Sequence, residues 1–228
     1  MSNPAFSVEG VLDALAMQPR RGAGAGRAIM LISARRKEGV TTAARAVAQS
    51  AGPGAVYAID LDLKRNAFAR ELANIDALGP KHDGRLNATS FYSIRSPRGA
   101  VLQERTPAFG YHRVGQTRIY AGIFDPRLIP EGGRVGLSPL PHYWDAVRMA
   151  GAMAVVDAPA LDRSEIGLRV ARNMDGVVLV VGSDKGAAPA AIAAKEKLIE
   201  AGANLMGIVF AGATAPVMAI DRMLRQAG

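Results

Sequence analysis

The chain has 228 residues, of which 49% are hydrophobic and 21% charged, and it carries a formal charge of +8. This composition fits one α/β domain with a substantial core and excludes an intrinsically disordered chain. There is no cysteine, which excludes disulfides and thiolate metal sites, and the three histidines are too far apart to form a local metal-binding motif. The positive charge indicates either an acidic partner or a solvated basic face.

Two features of the chain bear on its location. No apolar run approaches the roughly 18 residues that a membrane-spanning helix needs. The N-terminal sequence MSNPAFSVEGVLDALAMQPRR has acidic residues early and lacks the ordered basic, apolar and small-residue regions of a signal peptide. We therefore expect a cytoplasmic protein, with any contact at the inner membrane made through a partner.

Residues 1–27 are predicted to form an N-terminal helix and a linker. The stretch 8–18 has the spacing of an amphipathic helix, with Val8, Val11, Leu12 and Leu15 on one face. The following PRRGAGAGR is rich in proline and glycine, which is typical of a linker. It is not a dinucleotide-binding fingerprint, because such a fingerprint follows a strand and opens a helix, whereas this stretch precedes a strand.

Residues 28–228 alternate between strand and helix patterns. Strands that are apolar on both faces and separated by helices predict one doubly wound α/β domain with a mostly parallel sheet. The predicted helices lie at 41–50, at 188–202 with Gly202 as C-cap, and in the tail. In the tail, one helical face carries Val217, Ile220, Met223 and Leu224. The predicted strands are AIMLIS (28–33), AVYAIDLD (55–62), AMAVVDAP (152–159), GVVLVVG (176–182) and LMGIVFAG (205–212).

The middle of the chain has a different character. It is rich in Gly, Pro and Arg, and we expect a long irregular insertion around 79–141. A structureless loop of that length is unusual in a compact domain. We therefore also expect a helix after Asp62 and one more core strand around Arg118–Ala121.

Three features fall at predicted strand ends, where ligands bind in open parallel sheets. The first is the loop SARRKEGVTT after the first strand. The others are Asp60 and Asp62 at the end of AIDLD, and Asp157 at the end of AVVD. A phosphate-binding loop followed by two acid-tipped strands is how P-loop nucleotide hydrolases hold Mg²⁺ and a triphosphate. The sequence therefore predicts a fold of the P-loop NTPase type.

Several stretches together resemble a known family: SARRKEGVTT, AIDLDLKR, AVVDAPAL, ARNMDGVVLVVGSDK and LIEAGANLMGIVFAG. They are similar to the cytoplasmic domain of the bacterial tyrosine kinases (BY-kinases) of capsule and exopolysaccharide systems, which are relatives of the MinD/ParA ATPases. The resemblance covers residues 28–78 and 118–212. It implies a site for ATP and Mg²⁺, with the metal held by Thr41, Asp60 and Asp157, and with Asp60, Asp62 and Asp157 as catalytic residues if the protein is active. The nucleotide-binding residues that it implies are Arg35, Arg36, Lys37, Glu38, Gly39, Thr41 and Thr42.

The first motif departs from the family pattern S-A-x-P-G-E-G-K-[ST]-T. Arg36 and Lys37 replace its Pro-Gly pair, and Val40 stands where the phosphate-binding lysine belongs. Losing one such preorganised charge costs about 3–4 kcal/mol of transition-state stabilisation. The residues that keep their places are Ser33, Ala34, Glu38, Gly39, Thr41 and Thr42.

Other family signatures are absent. The C-terminal tail has no tyrosine, whereas BY-kinases end in a cluster of them. The assembly motif Glu-x-x-Arg-x-x-Arg keeps Glu9 but has Leu12 and Leu15 at its arginine positions, which leaves a homo-oligomer open. Ala211 follows the last strand, where the family often has an asparagine that contacts the base.

We therefore expect a degenerate BY-kinase-like protein without catalytic turnover. The resemblance implies a regulatory or scaffolding role beside a membrane polysaccharide co-polymerase of the chain-length-determinant type, contacted at its cytoplasmic face. The pathway would be exopolysaccharide synthesis and export, such as capsule or holdfast.

Three alternatives stay open. In the first, the chain is an active ATP-dependent tyrosine kinase or ATPase in which Arg35 or Lys37 replaces the lysine. In the second, it is a MinD/ParA-type positioning protein that binds DNA or membrane, although no basic helix is visible and nucleic acid is not an expected partner. In the third, it is an interaction module whose mid-chain loops bind a partner, with Tyr143 and Trp144 as anchors unless they belong to the core.

Overall fold

The computed structural model describes residues 8–102, 107–183 and 186–211. The helices are α1 (Val8–Met17), α2 (Val40–Ser50), α3 (Ala67–Ala73), α4 (His142–Met149), α5 (Leu168–Ala171) and α6 (Ala187–Glu200), with short 3-10 helices at Pro126–Leu128 and Glu165–Gly167. The strands are β1 (Arg27–Ser33), β2 (Val56–Asp60), β3 (Leu78–Asp83), β4 (Tyr92–Arg95), β5 (Phe109–Val114), β6 (Ile119–Phe124), β7 (Arg134–Leu137), β8 (Met153–Asp157), β9 (Gly176–Gly182) and β10 (Leu205–Ala211).

Eight of the strands form one sheet in the order β10-β9-β1-β8-β2-β6-β5-β3. The strands from β10 to β6 are parallel, and β5 and β3 extend the sheet in antiparallel fashion. The two remaining strands, β4 and β7, pair with each other in a separate antiparallel ribbon. The predicted doubly wound, mostly parallel α/β fold is confirmed.

The core has two layers because successive side chains of a strand point to opposite faces. In β1, Met30 and Ile32 belong to one buried cluster, while Ile29 and Leu31 belong to the other. The first cluster also contains the aromatic residues of the middle segment and residues of α4, α5 and α6, and the second contains residues of α1, α2 and α3. A central strand that is buried on both faces explains the uninterrupted apolar run of AIMLIS.

The predicted helices within the described residues are present. In α1, Val11 and Leu15 are buried, and Val8 and Leu12 pack against the second cluster. After α6, Gly202 adopts a φ of +76°, and its N–H donates to the carbonyl of Ile199. This is the left-handed helix end that the sequence predicted for this glycine. The predicted tail helix, with Val217, Ile220, Met223 and Leu224, lies outside the described residues.

The glycine-rich stretch after α1 packs closely on the end of α4. A Cβ on Gly24, whose φ is +104°, would lie 2.2 Å from the carbonyl oxygen of Arg148. A Cβ on Gly26 would lie 2.3 Å from the carbonyl oxygen of Ala152. The glycines are therefore required by close backbone packing, which the interpretation as a linker did not foresee.

Beneath this stretch lies a buried ion pair between Arg148 and Asp175. The Nε of Arg148 is 3.1 Å from Asp175 Oδ2, and both side chains are almost completely buried. Arg148 also donates to Asp145 at 2.8 Å, and Asp175 accepts the backbone N–H of Ala28 at 2.7 Å. The pair thus joins α4 and the start of β9 to the first residues of β1.

The middle segment, expected to be an irregular insertion around 79–141, instead contains most of β3 and all of β4 to β7. Its strands surround a set of aromatic side chains, among them the buried Phe91, Phe109 and Phe124. The strands were not apparent in the sequence because they are short, are interrupted by glycines, and carry Pro and Arg at exposed positions. The helix expected after Asp62 is α3, and the expected core strand is β6.

Tyr143 and Trp144 lie in the aromatic core and not on the surface. Their exposed fractions are 1% and 0%. The hydroxyl groups of Tyr111 and Tyr143 are hydrogen-bonded to each other, and both rings contact other aromatic residues. This burial supports the core interpretation of the two residues and contradicts their use as surface anchors. None of the described helices combines the length and apolarity that crossing a bilayer would require.

Candidate nucleotide-binding site

The three predicted elements of the site meet at one end of the sheet. The loop after β1 and the ends of β8 and β2 are adjacent, because these strands are neighbours in the order β1-β8-β2. They enclose a cleft of about 540 Å³. Of the residues predicted for the site, the cleft is lined by Arg36, Lys37, Glu38, Gly39, Thr41, Thr42, Asp60, Asp62 and Asp157, but not by Arg35.

The loop keeps a backbone shape that normally requires glycine. Gly39 has a φ of +86°, and Lys37, which stands at the first glycine position of the family pattern, has a φ of +66°. A side chain in this left-handed region costs about 1–2 kcal/mol. The loop therefore holds Lys37 in a strained backbone conformation.

Val40 is the first residue of α2 and lines the floor of the cleft. It is 9% exposed and packs in the apolar cluster formed by α1, α2 and α3. A hydrocarbon side chain at this position supplies no charge to a phosphate group.

The cations of the loop differ in their partners. Arg35 lies against Glu38, with its Nη2 at 3.2 Å from Oε1 and its backbone N–H donating to Oε2 at 3.0 Å. Arg36 lies 3.6 Å from Asp162. Lys37 is exposed and lines the cleft. Of the two residues considered as substitutes for the lysine, only Lys37 therefore faces the cleft.

Asp60 is bound by the backbone that follows it. Its Oδ1 accepts the N–H of Asp62 at 2.7 Å, and its Oδ2 accepts the N–H groups of Ala67 and Phe68 at 2.7 and 3.3 Å. Ala67 and Phe68 are the first residues of α3, so this carboxylate accepts hydrogen bonds from N–H groups that have no partner within the helix. Burial raises the pKa of Asp60 to about 6, and these three hydrogen bonds limit the rise.

Asp157 is hydrogen-bonded to Thr41. The hydroxyl of Thr41 donates to Asp157 Oδ2 at 2.6 Å, which joins the start of α2 to the end of β8. Burial, followed by the nearby Asp60 carboxylate, raises the pKa of Asp157 to about 8. The structure thus brings together the three residues predicted as Mg²⁺ ligands, Thr41, Asp60 and Asp157.

These oxygen donors fit Mg²⁺ chemically, because Mg²⁺ is usually held by one or two carboxylates together with phosphate oxygens and water. Asp157 is the better placed ligand, since its only described side-chain hydrogen bond is to Thr41, whereas both oxygens of Asp60 accept backbone N–H groups. The described part of the chain has no cluster of three or more His, Cys, Asp or Glu side chains that could hold a metal ion.

The sequence did not identify the basic residues around Asp62. Arg163 Nη1 lies 2.6 Å from Asp62 Oδ2, and Arg65 Nε lies 3.7 Å from the same atom. These contacts are ion pairs and not well-aligned hydrogen bonds, because this oxygen has no hydrogen-bond partner among the described residues. Arg163 follows Asp157 by six positions, and only the path of the loop after β8 brings it back to the cleft.

Comparison with protein families and with curated proteins gives no match. Several solved structures are similar to this chain, among them the following two. The chimerical protein CapA2B2, a chimera of the BY-kinase family, superimposes with a TM-score of 0.55 at 18% identity over 89% of this chain and 82% of its own. The kinase domain of the Escherichia coli tyrosine kinase ETK gives 0.50 and 16% over 85% and 70%. The chain therefore has the P-loop fold of bacterial tyrosine kinase domains.

Proposed function

We propose that this chain is a BY-kinase-like protein that does not transfer phosphoryl groups and instead regulates or scaffolds a cytoplasmic assembly. The observation that carries the proposal is Val40, which is buried in an apolar cluster where the family has its phosphate-binding lysine. The rest of the fold and the shape of the loop are retained, so the protein can still bind partners through its surface.

The electrostatics of the cleft support the same conclusion. Asp60 and Asp157 lie together on neighbouring strands, and burial raises the pKa of both carboxyl groups, with the nearby Asp60 carboxylate adding to the rise at Asp157. In a working P-loop enzyme, a lysine and Mg²⁺ offset the charge that develops on the phosphates. Here Lys37 is the only loop cation among the described residues that faces the cleft without an ion pair.

Titration calorimetry with ATP and Mg²⁺, together with an assay of ADP release, tests the proposal. We expect binding weaker than about 1 mM, which corresponds to about −4 kcal/mol, and no release of ADP above background. Micromolar binding with turnover that is lost in Asp157→Asn would contradict it.

The partner is the second part of the proposal. The resemblance to BY-kinases of capsule and exopolysaccharide systems supports a membrane polysaccharide co-polymerase, contacted at its cytoplasmic face, in polysaccharide synthesis or export. If this is correct, deleting the chain from its host reduces polymer export, and an Asp157→Asn variant restores it. Failure of Asp157→Asn to restore export would show that the cleft is needed and would count against a scaffolding role.

One observation favours a second candidate, an active ATPase or tyrosine kinase. Lys37 lines the cleft and is held in a glycine-like conformation beside the phosphate-binding loop. This candidate predicts that Lys37→Ala abolishes activity and that Val40→Lys changes it little. If the expressed chain carries phosphotyrosine, and the Lys37→Ala variant does not, the active enzyme is favoured over the inactive scaffold.

A further inference from the structure

Within the described parts of the chain, one edge of β7 pairs with no other strand, and this edge lies next to the nucleotide cleft. Among the described residues, β7 pairs with β4 alone. The N–H of Ser138 donates to the carbonyl of Phe91, which fixes the alternation of hydrogen-bonded pairs along the ribbon. Since such pairs alternate, Val135 and Leu137 direct their backbone N–H and C=O groups away from β4. These groups are available to a further strand.

A groove runs below this edge. Its inner part, of about 240 Å³, has apolar walls from Leu63, Phe124 and Ile166 and ends at Arg163, which also lines the nucleotide cleft. Its outer part, of about 550 Å³, extends to Arg169. Both parts are lined by Val135, Gly136 and Leu137 of β7. An extended chain on β7 would point every second side chain into this groove.

The charges along the groove are mainly positive. Its two acids are already paired, Asp62 with Arg163 at 2.6 Å and Glu165 with Lys197 at 2.5 Å. Lys64 and Arg169 line the groove, are exposed, and form no ion pair with any described residue.

A like-charge pair stands at the outer end of the same ribbon. Arg134 of β7 and Arg95 of β4 are direct cross-strand partners. Two like charges directly opposite each other are destabilising in a sheet. An anionic group bound beside them would relieve this repulsion.

We propose that the free edge of β7 and the groove below it bind an extended acidic peptide segment of a partner protein as an added strand. Backbone hydrogen bonds to Val135 and Leu137 supply affinity, and alternate apolar side chains fill the groove. The acidic side chains alternate with these and lie on the face of Arg134, where the long, exposed side chains of Lys64 and Arg169 reach them from the rim of the groove. These contacts supply specificity. The proposal uses no nucleotide and does not depend on the loss of catalysis.

Fluorescence anisotropy with the full chain and labelled peptides tests this. The probe is a peptide of alternating valine and glutamate about six residues long, the usual length of a strand. Two matched peptides replace glutamate by lysine, or carry N-methyl groups on alternate backbone nitrogens. We expect the acidic peptide to bind and the lysine peptide not to bind. The N-methyl groups can be placed on the odd or on the even backbone nitrogens, and we expect one of these two placements to remove most of the binding.

Charge reversal locates the peptide. We expect Lys64→Glu and Arg169→Glu each to weaken binding about fivefold or more, and Arg70→Glu, on the exposed side of α3, to leave it unchanged. Circular dichroism verifies that each variant is folded. Absence of binding, equal binding of the acidic and lysine peptides, or no effect of both reversals would overturn the proposal. Self-association of the chain that the acidic peptide cannot compete away would assign the groove to a second copy instead, and would also overturn it.

Discussion

Asp60 and Asp157 are direct register partners in the adjacent parallel strands β2 and β8. Each is buried, and each has a pKa above its usual range, at about 6 and about 8. The folded state therefore binds more protons than the unfolded state between about pH 4, where free carboxyl groups titrate, and about pH 8. The contribution of these acids to stability falls as the pH rises through that window.

Replacing Asp157 by Asn removes the buried charge and keeps an acceptor for Thr41. We expect Asp157→Asn to raise the free energy of unfolding by a few kcal/mol at about pH 8.5 and by much less at about pH 5, since each unit of pKa shift corresponds to about 1.4 kcal/mol. Urea unfolding at the two pH values measures this. Asp125→Asn, at an exposed acid on the same side of the sheet whose pKa is lowered by Arg127, is the control and should not stabilise at high pH. An equal gain at both pH values would contradict the assignment.

Restoring the family lysine tests the role of Val40. A lysine there can pass its stem along the apolar floor and place its ammonium near Asp157. We expect Val40→Lys to strengthen binding of ATP and Mg²⁺ by about 100-fold, the lower end of what one preorganised charge supplies. Calorimetry measures the affinity, and Val40→Met serves as a neutral control of similar length. If Val40→Lys and Val40→Met bind ATP equally, the missing lysine is not what limits binding.

Lys37 combines backbone strain with a charge, and two substitutions separate them. Lys37→Gly removes both, and we expect it to stabilise the fold by about 1 kcal/mol, because the left-handed φ of +66° suits glycine. Lys37→Ala removes the charge and keeps the strain, so its stability should stay close to that of the parent chain. Thermal unfolding of the three proteins decides this, and equal stability of the Gly and Ala variants would rule out strain at this position.

The buried pair of Arg148 and Asp175 should be sensitive to the loss of one partner. We expect Arg148→Met to destabilise the fold by about 3–5 kcal/mol, because it removes the closer cation from a buried carboxylate and leaves only Arg27, at 4.0 Å. The matched control is Arg127→Met, which breaks an exposed pair with Asp125 and should cost less than about 1 kcal/mol. Similar losses for the two variants would contradict a structural role for the buried pair.

The glycine-rich stretch after α1 gives a further prediction. We expect Gly26→Ala to destabilise the fold by about 1–3 kcal/mol, since its Cβ would press on backbone atoms of Val147 and Ala152. Gly52→Ala is the control, because a Cβ there meets no atom within 4 Å. A neutral Gly26→Ala in chemical denaturation would show that the stretch is a loose linker after all.

The parallel half of the sheet could be predicted from the sequence because its strands are apolar on both faces. The stretch AIMLIS and the stretch GVVLVVG have no polar interruption, and burial on both sides leaves no other arrangement. The antiparallel half could not be predicted in the same way. In β3, LGPKHD carries Pro80 and Lys81 at the edge of the sheet, where such residues prevent further pairing but hide the strand pattern.

The site was predicted to the extent that the topology determines it. Neighbouring parallel strands place Asp60 and Asp157 together whatever the loops do, and Thr41 joins them at the start of α2. The partners of the cations depend on loop conformation, which spacing does not determine. The pairing of Arg35 with Glu38, and the return of Arg163 to Asp62, therefore became apparent only in three dimensions.

The two backbone hydrogen bonds that Asp60 accepts at the start of α3, from Ala67 and Phe68, also bear on how such chains change over generations. This side chain is needed to fold the helix whether or not a phosphate is ever handled nearby. A lineage that stops using ATP would be free to vary residue 40 while selection for folding alone keeps residue 60. In such a lineage Asp60 would be retained for folding after residue 40 had changed.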